Sequence, residues 1–105
     1  MNSMDFARYG YLHLRKGNWN GKQLFDPDRV NEITTPCKLL ENPIYGYLWW
    51  IQPDKDGSML SFGAEGGGYH ICRVFPKYDL VTVVRWTGSD GFWNFNKKVV
   101  ESIVN

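Results

Sequence analysis

The sequence predicts an α+β fold: an antiparallel sheet of about three or four strands flanked by N- and C-terminal helices. Three observations predict it. Apolar residues recur at helical spacing at both ends of the chain. Between Tyr45 and Trp86, β-branched and aromatic runs alternate with Gly-, Pro- and Asp-rich turns. The order helix, short helix, meander, helix packs helices on one face of a sheet that forms part of a larger sandwich.

The first helix runs from about Met4 to Lys16, with Phe6, Ala7, Gly10, Tyr11 and Leu14 at helical spacing. Ser3 reads as its N-cap, and Asp5 suits the positive end of the helix dipole. Arg15 and Lys16 close it and Gly17 follows. Gly10 costs helix propensity and therefore marks a close approach to another element. Asn18 to Lys22 is a turn built on Asn20-Gly21. Asp26-Pro27 starts a short helix, as cap and first-turn proline, with Val30 and Ile33 on its inner face. Pro36 ends that segment, and residues 36–44 read as loop.

Tyr45 to Ile51 reads as a strand apolar on both faces, with Trp49 and Trp50 pointing in opposite directions. One of these packs under a helix and the other is a candidate to line a cleft. Pro53 to Gly57 is a hairpin connection. Met59 to Gly63 is the second strand, ended or interrupted by Gly66-Gly67-Gly68. Tyr69 to Phe75 is the third, Pro76 to Asp79 a tight turn, and Leu80 to Trp86 a Val-rich fourth. Thr87 to Gly91 reads as loop with Asp90 as a cap. Phe92 to Val104 is the last helix, with Phe92, Phe95, Val99 and Ile103 on one face.

Composition bounds the function. The chain has 105 residues, 43% hydrophobic and 22% charged, the profile of one soluble globular domain or a piece of one. The 5 Trp, 6 Tyr and 6 Phe are a heavy aromatic load, so some rings face a core and others are free to meet a partner. A net charge of +1 gives no basic footprint for nucleic acid. No apolar run reaches the ~18 residues of a membrane span. The opening residues lack the basic-then-apolar pattern of a signal peptide. Cys37 and Cys72 form no CxxC motif and suggest no metal site; they read as free thiols with Cys72 in the core, although spacing alone leaves a disulfide open. No cofactor motif is present.

Five stretches, taken in order, resemble the C-terminal part of the β-lactamase-like serine hydrolases. These are Met4 to Leu12, Gly17 to Gln23, Tyr45 to Trp50, Gly66 to Ile71 and Phe75 to Val83. That superfamily includes class C β-lactamases, DD-peptidases, esterases and 6-aminohexanoate-dimer hydrolases. The resemblance implies that residues 1–105 are one C-terminal portion of such a domain, with the catalytic part upstream and Met1 either internal or the start of a shortened frame. It implies acyl transfer on an ester, amide or β-lactam, with a small acyl substrate in the parent. The expected partner is the remainder of the domain or a second copy.

Serine acyl transfer needs a nucleophile, a base within reach and donors for the oxyanion. In this family Ser and Lys lie one helical turn apart. No Ser-x-x-Lys and no Tyr-x-Asn occurs here; Thr35 and Lys38 have the spacing, but Pro36 lies between them in the expected loop. The family's Lys-Thr-Gly or His-x-Gly element aligns with Ala64-Glu65-Gly66, so Ala64 stands where the cationic or imidazole side chain would be. Lys55-Asp56-Gly57 looks similar but reads as a turn. The resemblance makes Ala64, Glu65 and Gly66 substrate-binding candidates, with Gly66 permitting close approach and the Gly67 N–H an oxyanion donor. Glu65 reads as a solvated carboxylate at the cleft mouth, His70 as a half-buried, hydrogen-bonded side chain and His13 as exposed. The chain alone is expected to be inactive. The rival reading is a non-catalytic binding module, or the remnant of a decayed hydrolase gene.

Overall fold

The computed structural model describes residues 1–37 and 44–104; most of the loop expected over 36–44 lies outside them. Helix α1 spans Ser3–Leu14. Its cap is Asn2, not Ser3: the Asn2 side chain accepts from the Asp5 N–H at 2.8 Å, and Ser3 falls inside the first turn. The hairpin of β1 (Asn18–Trp19) and β2 (Lys22–Gln23) turns on Asn20 and Gly21, both at positive φ (51° and 84°), as a two-residue hairpin with right-handed strand twist requires. Helix α2 spans Pro27–Ile33; the Asp26 carboxylate accepts from the Asp28 N–H, and Pro27 occupies a first-turn position where a missing N–H is harmless.

Four strands follow: β3 (Trp50–Pro53), β4 (Met59–Gly66), β5 (His70–Phe75) and β6 (Leu80–Val84). They form an antiparallel meander in that order. Helix α3 spans Gly88–Val104.

Three expectations change. The strand expected over Tyr45 to Ile51 is mostly a tight loop. Leu48 adopts a φ of 68°, the Gly46 N–H donates to the Trp49 carbonyl, and Tyr45 alone bridges to Trp50. Aromatic content signalled a strand, but packing decided: Trp49 leaves the ladder to stack on Tyr9 of α1, 5.6 Å away and 9° from parallel, and to meet Phe62 edge-on. Strand β4 runs three residues past Gly63, so Ala64-Glu65-Gly66 is part of the sheet and the turn is Gly67-Gly68-Tyr69. Helix α3 starts at Gly88, absorbing most of the expected loop and placing Asp90 in its first turn.

Helices cover opposite faces of the sheet rather than one. Successive residues of β5 show it: the Cys72 thiol donates to the Phe6 carbonyl of α1, whereas the Arg73 guanidinium lies over Phe92 of α3. On the α1 side, Val30, Trp49, Phe62 and Val74 form the larger core. Burying each of them contributes roughly 1.5–3 kcal/mol. On the α3 side, Ile71, Val84 and Phe92 form a smaller one. A buried pair adds to it, as the Thr82 hydroxyl donates to Asn96 Oδ1 at 2.7 Å. Gly10 lets α1 sit close on β5 and β6: a Cβ there would lie 2.5 Å from Cys72 Sγ and 2.8 Å from Val81 Cγ1. His13 is buried, not exposed. Its Nδ1–H donates to the Tyr9 carbonyl while the ring packs among Tyr9, Phe25 and Trp49.

Candidate functional site

Alternation along β4 separates the expected site residues. Ala64 points to the α1 side, half-buried against the larger core. Glu65 points to the α3 side, where its carboxylate accepts from Arg73 Nη2 at 2.5 Å. Gly66 ends the strand opposite His70, and Gly67 opens the turn. Gly67 is exposed, and a Cβ added there would meet nothing within 4 Å. The backbone at this tip is therefore open to an approaching group. Gly68 and Tyr69 both take positive φ (80° and 60°), which makes the turn tight.

The tip is braced by the two residues that follow β6. The His70 and Trp86 rings meet edge-on at 4.1 Å, and Arg85 Nε donates to His70 Nδ1 at 3.0 Å. His70 is thus half-buried and hydrogen-bonded as expected. With Nδ1 occupied, that atom is not available as a base.

Sequence reasoning missed Arg73. It is only 2% exposed, and Glu65 is the partner that neutralises it. Nη1 lies 3.4 Å from both the Trp50 carbonyl and Ser61 Oγ, while Nε has no partner. Burial pulls the guanidinium pKa down, against the opposing pull of Glu65. Gly63 makes the arrangement possible, since a Cβ there would sit 2.8 Å from Arg73 Cζ. The signal available in the sequence was a cation inside the apolar run Ile71 to Phe75. Beside this pair is a cleft of about 280 Å³ lined by Trp50, Gln52, Glu65, Arg73 and Trp93. Trp50 lines this cleft, and Glu65 is exposed as expected while its carboxylate also pairs with the buried Arg73.

The buried hydroxyls of the sheet are not set up for attack. Ser61 is fully buried and donates to Gln52 Oε1, and Thr82 donates to Asn96. Cys72 is held as a thiol, its pKa pushed up to about 12 by burial. Cys37 and Cys72 are both free and buried. Among the described residues no cluster of three or more His, Cys, Asp or Glu is placed to hold a metal, and no helix is long and apolar enough to cross a membrane.

The fold matches that of a Bacillus anthracis protein named "Putative 6-aminohexanoate-dimer hydrolase", with a TM-score of 0.69 and 23% identity over 96% of this chain. This chain has the fold of part of that protein. The match covers 28% of the Bacillus anthracis chain. An uncharacterized protein of Alkalihalophilus pseudofirmus is 28% identical over 95 aligned residues, spanning 79% of this chain and 28% of the relative. The chain therefore spans little more than a quarter of either protein's length. No family profile matches the sequence.

Proposed function

We propose that residues 1–105 form one wall of the active-site cleft of a β-lactamase-like serine hydrolase, whose nucleophilic Ser-x-x-Lys and Tyr-x-Asn belong to other polypeptide. In this reading the Gly67 N–H is an oxyanion donor, Gly66 leaves room for the acyl group, and Ala64 and Glu65 flank the approach to that strand end from opposite faces of β4. The observation that carries the proposal is the β4–β5 hairpin tip. In a chain that shares the fold of a named hydrolase along nearly its whole length, the motif-bearing strand ends in an open glycine backbone. A donor fixed by a strand end is pre-organised toward developing negative charge, the term on which acyl transfer depends most.

Ala64 also narrows the substrate. Without a cationic side chain there, recognition of a β-lactam carboxylate loses its usual counter-charge, so ester or amide acyl groups fit this wall better than β-lactams. Among the described residues no nucleophile is activated, so the chain alone is expected to turn over neither nitrocefin nor a chromogenic ester. Clear turnover by the purified 105-residue chain would overturn the division of labour. Supplying the upstream reading frame, if it carries Ser-x-x-Lys, should yield ester hydrolysis that Gly67→Pro, which lacks the N–H, reduces about 100-fold. A stop codon and ribosome-binding site directly before Met1 would instead favour a non-catalytic module.

A further inference from the structure

We infer that His70 is a positioning residue for the glycine turn: by holding Arg85 through Nδ1 it joins the ends of three strands and fixes the direction of the Gly67 N–H. This role rests on the hydrolase reading above, in which that N–H meets the oxyanion. The register places His70 at a junction. On one side it pairs with Gly66, the last residue of β4. On the other side the β5–β6 ladder stops one step short of it, at Ile71 opposite Val84. The next pair in that register is His70 and Arg85, and there a side-chain bond takes over from the backbone. Arg85 Nε donates to His70 Nδ1 at 3.0 Å.

The turn rests on this junction. A Cβ on Gly68 would lie 3.0 Å from Trp86 Cζ3 and 3.3 Å from His70 Nε2, so the Gly68 backbone sits on the two rings, which themselves meet edge-on. Trp86 holds a φ of 62°, a conformation that a bulky residue keeps only where its surroundings over-determine it. A guanidinium can only donate, so it fixes Nδ1 as the acceptor and leaves the ring proton on Nε2, beside Gly68. Gly67 has no side chain to anchor it. Its orientation comes from its neighbours: Gly66, paired with His70, and Gly68, seated on the His70 and Trp86 rings. A glycine N–H is otherwise free to swing, and an oxyanion donor works only when it is held in place before charge develops.

Backbone 15N relaxation of the 105-residue chain reads the turn without catalysis, with circular dichroism as the folding control. Substitutions are made at His70, since Arg85 also holds the Met1 carbonyl through Nη1. Order parameters of Gly67 and Gly68 are expected near the rigid-backbone value of about 0.85, falling below about 0.6 in His70→Leu, which fills volume but gives Arg85 no acceptor. His70→Asn is expected to restore them, because its Oδ1 lies as many bonds from the backbone as Nδ1. His70→Phe keeps a ring without an acceptor. It is expected to loosen the turn, and it keeps the test open if His70→Leu fails to fold. A turn left rigid by His70→Phe or loose by His70→Asn belongs to a ring that only fills space, and overturns the proposal. So does a turn already mobile with His70 in place. In the protein assembled with an upstream frame carrying Ser-x-x-Lys, His70→Leu is expected to lower kcat for an ester about tenfold at a KM within about twofold, and His70→Asn to recover it. A loss confined to KM, or equal in both variants, overturns the role. No ester hydrolysis by that protein with His70 in place overturns the hydrolase reading instead, and with it the catalytic meaning of the brace; the order parameters still decide whether His70 holds the turn.

Discussion

Replacing Glu65 with Gln leaves a buried guanidinium without its anion, and the loss is expected to be about 1–3 kcal/mol, read as a lower urea midpoint with unchanged slope. Arg73→Met is expected to cost less than Arg73→Ala, because Met refills the volume between Trp50 and Trp93 while Glu65 can turn to solvent. Nothing in the β4 sequence announced this pair: Glu65 and Arg73 become neighbours only once the β4–β5 register sets Gly63 opposite Arg73. Three further residues make stability depend on pH. Burial raises the Cys72 pKa to about 12, while an unfolded thiol ionises near about 8.5. The folded chain then holds the extra proton, so this contribution is complete below about pH 8.5 and is lost as pH rises toward 12. Tyr9, raised by desolvation and then by Cys72, acts in the same direction. His13 acts in the opposite sense. Desolvation lowers its pKa, partly offset by the Tyr9 carbonyl. Its contribution is present above about pH 6.5 and is lost as pH falls. Urea midpoints measured across pH should fall at both ends, and Cys72→Ala should flatten the alkaline limb. Thiol titration should find Cys72 unreactive until the chain unfolds.

Among the elements, Gly10 gives the sharpest test. Gly10→Ala raises helix propensity, yet its methyl would press on Cys72 Sγ and Val81 Cγ1, so α1 must lift from the sheet. Overpacking of this kind costs about 1–3 kcal/mol, more than the propensity gained. A midpoint equal to or above the parent's would mean that α1 sits less tightly than described. Gly10 was legible as a close-approach site because a glycine inside a helix is costly unless something passes near it. The Asn20-Gly21 turn, the Asp26-Pro27 start with its cap and three of the four strands were legible for the same local reason, since turn chemistry is set by a few neighbouring residues, whereas the cap of α1 is Asn2 and Asp90 lies inside α3. Tyr45 to Trp49 was not, because its aromatic content fits a strand while its conformation is set by distant Tyr9 and Phe62. His13 was misplaced because burial of a helix face depends on which loop folds over it. Around the candidate site, the glycine turn was legible in the sequence but its neighbours were not, as Arg85 and Trp86 reach His70 across strands and Arg73 reaches Glu65.

At the scale of the molecule, a sheet covered on both faces still leaves much apolar surface in water. Leu48 and Trp86 are 80% and 77% exposed, and Trp93, Phe95 and Ile103 are each more than 40% exposed. Helix α3 shows the imbalance: of its expected inner face only Phe92 is buried, and Asn96 takes the second contact with the sheet. A helix with that much unspent apolar surface suits a larger assembly, whether the rest of a hydrolase domain or a second copy. The expected consequence is binding of a hydrophobic dye to the folded chain and light scattering that rises with concentration. Ile103→Lys, near the end of α3 and distant from the β4–β5 tip, should lower both while changing the melting temperature by no more than about 2 °C, since it removes no buried contact. Dye binding that persists in this variant at full strength would place the sticky surface elsewhere, at Leu48 or Trp86, and the same measurement on Leu48→Lys and Trp86→Lys then assigns it.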